Sequence, residues 1–179
     1  MKLFVAFVLV LLTGPAVAQH HGQGHGAGQG HGQASPYAGM QQRAIKALSE
    51  TQIADLKAGR GMGLALAAEL NGYPGPLHVL ELSDKLELTG EQKGRFQQLF
   101  DSMKAEAIAA GDVVIAKEQA LDQGFARGNM TAEGLAKLTE QIGVAQGNLR
   151  AVHLKYHLTS ADLLTAHQKQ RYTQLRGYR

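Results

Sequence analysis

The chain has 179 residues, no cysteine and a formal net charge of +3. That length suits one domain plus a tail. A charge this balanced, with no basic run interleaved with aromatics, argues against nucleic acid as a partner. The missing cysteines exclude a disulfide scaffold, so stability must come from helix packing, metal or association.

Residues 1–18 have the layout of a cleavable signal peptide. Lys2 supplies a positive start, Leu3 to Leu12 is unbroken apolar chain, Thr13-Gly14-Pro15 breaks it, and Ala16-Val17-Ala18 offers small residues for cleavage. Residues 19–36 form a tail of Gly, Gln and His with almost nothing apolar to bury, which predicts disorder. A helical domain is expected over 37–179. Its first helix candidate runs from Gln41 to Lys57 and ends at Gly59-Arg60-Gly61. A short one covers Leu64 to Leu70, and Pro76 is placed to start the next, which carries His78, Leu80, Leu82 and Leu86.

Gly90 to Arg127 and Ala132 to about Ala161 then read as two long antiparallel helices. In the first, Phe96, Phe100, Met103, Ala107, Ala110 and Val114 alternate spacings of four and three. In the second, Leu135, Leu138, Ile142, Ala145, Leu149, Val152 and Tyr156 do the same. Gly128-Asn129-Met130-Thr131 between them supplies a stop and a new N-cap. Interior glycines at 94, 111, 124, 134, 143 and 147 weaken these helices by about 1 kcal/mol each relative to Ala, and mark either close packing or flexibility. A last helix covers Ala166 to Arg176. The predicted fold class is all-α: a long antiparallel helical hairpin with short flanking helices. Its apolar seams are wider than two helices can bury, which points to a dimer or a client.

One pattern recurs three times, as Leu48-Ser49-Glu50-Thr51-Gln52, Leu88-Thr89-Gly90-Glu91-Gln92 and Leu164-Thr165-Ala166-His167-Gln168. A hydroxyl followed three positions later by Gln is a capping box. The hydroxyl accepts from the N3 amide and the Gln reaches back to the cap's own N–H, while the preceding Leu staples the first turn.

These boxes, the signal, the His-rich leader and the long hairpin together resemble the Spy/CpxP family of periplasmic LTxxQ proteins, with its heavy-metal relatives of the ZraP and CnrX type. The resemblance spans roughly Leu77 to Tyr178 and is clearest at Leu88–Gln92 and Leu164–Gln168; Ser49 departs from the family's Thr. It implies a curved homodimer in the periplasm. It also implies a chaperone that holds unfolded or misfolded envelope proteins without ATP, a metal-binding or sensor protein, or a partner of a membrane stress sensor.

Two sets of residues are candidate ligands for copper, nickel or zinc; no cofactor is required. His20, His21, His25 and His31 lie in the Gly-rich tail. Cleavage after Ala18 puts His21 third in the mature chain, where it can bind copper(II) or nickel(II) in a square plane with the terminal amine and two backbone nitrogens. Cyclisation of Gln19 defeats that mode. The second set is His153 and His157, one turn apart at the edge of the seam, with His78 and Glu81, three apart on an earlier helix. The alternative is that these histidines snorkel or cap a turn. No enzyme is expected: there is no nucleotide loop, no nucleophile elbow, and His78-x-x-Glu81 runs opposite to the Glu-x-x-His signature of di-iron bundles.

Overall fold

Three hydroxyl side chains open three helices in the same way. Ser49, Thr89 and Thr165 all have extended backbone, accept from the amide three residues on, and have their own N–H bonded by Gln52, Gln92 and Gln168. The structure, a computed structural model, describes residues 35–178. The expected signal peptide and nearly all of the His/Gly/Gln tail lie outside the described residues. Those described are mostly helical and contain no strand: α1 (Glu50–Lys57), α2 (Leu66–Glu69), α3 (Pro76–Glu81), α4 (Gly90–Ala126), α5 (Ala132–Leu163) and α6 (Ala166–Leu175).

The long pair α4 and α5 packs as a hairpin. Gly128 takes a positive φ after α4, and Thr131 caps α5 by accepting from Gly134 N–H. The first helix is shorter than the expected Gln41–Lys57. A 3-10 turn at Met40–Gln42 and a bridged turn joining Ile45 to Leu48 come before it. The reason is local: Ser49 has ψ 160°, a conformation that no helix entering from upstream can pass through. Leu86 also falls outside a helix, because α3 stops at Glu81 and the chain turns through Glu87 at φ 52°.

Two apolar cores lie along the hairpin. Near its middle, Ile45, Leu48 and Leu56 pack on Ala107, Val114, Ala145 and Leu149. Toward the start of α4, Val79, Leu86, Leu88, Phe96, Leu164 and Tyr172 form the second. The seams are therefore mostly covered within one chain, contrary to the expectation that they outrun what the subunit can hide. The short flanking segments supply the missing layer. On the hairpin itself Val113, Phe125, Val144 and Leu158 are exposed, with Leu135 near the tip, and the flanking segments expose Met62, Leu66, Leu70, Tyr73 and Leu77.

The helical glycines divide into two kinds. At Gly111 a Cβ would stand 2.8 Å from the Leu56 carbonyl oxygen, so this glycine lets the end of α1 touch α4. At Gly143 nothing lies within 4 Å of that position. Gly111→Ala is expected to destabilise the chain by about 1–3 kcal/mol from forced backbone shift. Gly143→Ala should stabilise it by up to about 1 kcal/mol from helix propensity. Urea midpoints of the two variants check the opposite signs.

Candidate functional site

Among the described residues, the histidines named from the sequence do not converge on one site. His20, His21, His25 and His31 lie outside the described residues. On α3, half-exposed His78 pairs with Glu81 at 3.0 Å. His157 on α5 turns Nδ1 to the Tyr73 carbonyl oxygen at 2.7 Å, and the same nitrogen lies 3.7 Å from Glu69 Oε2. A carbonyl only accepts, so Nδ1 carries the proton. The turn Pro74-Gly75-Pro76 presses on this ring: a Cβ at Gly75 would stand 2.8 Å from His157 Nε2. His153 is only 2 % exposed, and its Nε2 has no hydrogen-bond partner. Burial, then the neighbouring His157, pushes its imidazole below the usual histidine range.

Among the described residues no three His, Asp or Glu side chains are placed to hold one metal ion. The expected nitrogen/oxygen site of His78, Glu81, His153 and His157 is accordingly not formed. Sharing a helix face brought each pair together, but the fold uses His157 to hold a turn and leaves His78 half-exposed beside Glu81.

The polar centre of the fold is a residue that sequence reasoning missed. Glu69 ends α2 at 5 % exposure. Its Oε2 accepts from Gly75 N–H at 3.1 Å, while Oε1 accepts from the Tyr172 hydroxyl and, at 3.0 Å, from the Tyr178 hydroxyl. Arg176 Nε stands 3.7 Å away. Burial and this carboxylate drive the Tyr172 phenol far above its usual value, so it stays a donor. One buried carboxylate thus ties the α2–α3 turn to α6 and the chain's end. A usable signal was present: Glu69 is the only charged residue between Gly61 and Leu77. A lone charge in apolar chain is either exposed or held by partners.

The second and third Leu-Thr-x-x-Gln boxes meet. Gln92 Nε2 donates to Gln168 Oε1 at 3.0 Å, and Gln168 Nε2 donates to Gln92 Oε1 at 3.1 Å. Each amide also donates to a backbone carbonyl across the junction, Gln92 to Leu163 and Gln168 to Leu86. Each oxygen still accepts from its own cap N–H. Both side chains therefore use two donors and two acceptor sites, the full capacity of a primary amide. Leu88 and Leu164, the residues before the two boxes, are buried in the core beneath. The Ser49 box stays apart, and the exposed Gln52 makes capping bonds alone.

Two grooves follow the hairpin. Arg95, Leu99, Ser102, Tyr156 and Thr159 line one. Val113, Lys117, Lys137, Gln141 and Val144 line the other, where Lys117 bonds Gln141 at 3.0 Å and Val144 is 57 % exposed. This second groove combines apolar side chains with two lysines and the carboxylate of Glu140. Compared with known proteins, the chain matches no family model, and no curated protein or solved structure shows significant similarity to it.

Proposed function

We propose that this chain is an exported periplasmic protein of the Spy/CpxP kind that holds non-native polypeptides without ATP. The observation that carries the reading is the uncovered groove of the hairpin. There Val113 and Val144 stand exposed, and Lys117, Lys137 and Glu140 line the same groove. Apolar side chains beside two lysines and one glutamate suit clients that expose apolar segments and carry some negative charge, drawn in before close contact forms. The paired boxes support the family reading, since the two best LTxxQ matches act as one structural unit. Association into a homodimer is part of the proposal.

The test is light scattering of an aggregating client at near-stoichiometric protein, without nucleotide. Suppression is expected, and the double variant Val113→Asp with Val144→Asp should lose most of it while keeping its helical signal. A chain that never slows aggregation ends the reading. The metal reading rests on His20, His21, His25 and His31 of the tail; a stress-sensor partnership rests on the resemblance alone.

A further inference from the structure

The segment from Gly61 to Gly75 lies over a polar stripe of α5. His153, His157 and Ser160 recur at spacings of four and three, so they share one face. All three are buried, and two of them, at His153 Nε2 and Ser160 Oγ, have no hydrogen-bond partner. Above them, the Cβ position of Gly61 lies 4.0 Å from His153 Nδ1, Gly75 abuts the His157 ring, and Tyr73 accepts from it. α2 packs on α5 from this segment, and α3 packs on α5 just after it. Met62, Leu66, Leu70 and Tyr73 point outward and are exposed, while Ala65, Ala68 and Glu69 are buried.

We infer that this segment is an acid-released cover: a proton taken up by His153 drives it off α5 and uncovers the stripe together with the apolar cluster of Ala145 and Leu149 against which Leu64 packs. The inference gives the proposed holding function a trigger and rests on that reading for its purpose. The physics is a donor without an acceptor. A protonated His153 would carry a second N–H and a full charge into a site where Nε2 meets no oxygen.

The charged and titratable groups around the stripe offer no relief. On α5 itself, His157 acts on His153 with like charge when protonated. Glu69 of α2 is already held by Gly75, Tyr172 and Tyr178, with Arg176 nearby. His78 and Glu81 of α3 bond each other. Glu106 of α4 is engaged by Lys155 and Tyr156.

The sign follows from linkage. His153 is held below the ordinary value of 6.5 in the closed state, so the open state binds the proton more tightly. The closed state therefore loses stability as pH falls below about 6.5. Glu118 works the other way: burial raises its carboxyl, so the folded chain takes up that proton more readily. Glu106 and Asp84 are held below 4.5 and 3.8, so their contributions persist until the pH falls below those values.

The experiment is hydrogen exchange of the full chain alone, without client, from about pH 7.5 down to about pH 5, corrected for the intrinsic exchange rate. Amides of residues 61–75 are expected to exchange several-fold faster at the acid end, because the open state holds the His153 proton more tightly. His153→Leu should flatten that dependence. An acid response that is absent in the wild type, or that survives in His153→Leu, overturns the inference. Should that variant fail to fold, the wild type decides by NMR titration of His153 beside the exchange data: a midpoint below about 6.5 that coincides with the faster exchange of residues 61–75 upholds the inference, and a midpoint at or above about 6.5, or exchange that does not follow it, overturns it. Client aggregation measured separately at both pH values keeps the two ideas apart. A cover that opens without protecting client leaves the acid response standing and ends the holding function.

Discussion

Glu69→Ala is expected to lower the stability of the folded chain by about 3–5 kcal/mol, the range for removing one partner of a buried charged cluster. The loss has three parts: an acceptor for the Gly75 amide, an acceptor shared by the Tyr172 and Tyr178 hydroxyls, and the counter-charge near Arg176. Tyr172 is nearly inaccessible to water, so its hydroxyl has no ready substitute. Glu69→Gln should cost less. An amide can still present oxygen to the tyrosines, which leaves its NH2 facing the Gly75 N–H, donor against donor. Urea denaturation of the three proteins, compared by midpoint, checks the order wild type, Gln, Ala. A loss under about 1 kcal/mol for Ala would mean that the carboxylate is a passive occupant.

The paired glutamines make the second large prediction. Gln168→Ala removes the bonds to the Thr165 and Leu86 backbone and half of what satisfies Gln92. The expected loss is about 2–4 kcal/mol, because several buried or half-buried polar groups lose partners together. Gln92→Ala should approach it. The two changes together should cost less than their sum by about 1–2 kcal/mol, since each single variant already breaks the shared bonds. Gln52→Ala is the internal control: it caps a helix without crossing to another, so about 0.5–1 kcal/mol is expected. Strict additivity of the Gln92 and Gln168 changes would show the two boxes to be independent caps.

The histidines show where reading from sequence stops. Their spacing on α5 put His153 and His157 on one face, and the same holds for His78 and Glu81 on α3. Nothing local to those residues states that Tyr73 will take His157, or that His153 will lie under Gly61 with an unpaired nitrogen. Those facts depend on where α2 and α3 settle. The glycines make the same point. Gly111 and Gly143 look alike in the chain, yet one sits against a carbonyl of α1 and the other faces open space.

What the amino-acid order determined alone is everything that resolves within a turn or two of helix: the caps at Ser49, Thr89 and Thr165, the stop at Gly128, and the extent of the hairpin. These depend on hydroxyls, amides and apolar spacing a few residues apart, where the backbone itself brings the partners together. Tertiary structure alone decided that two caps interlock across 76 positions of chain, that Glu69 gathers partners from the far end, and that short flanking segments cover the seams. Such contacts are selected by the packing of whole surfaces, and a residue type carries no local mark of which distant surface it will meet.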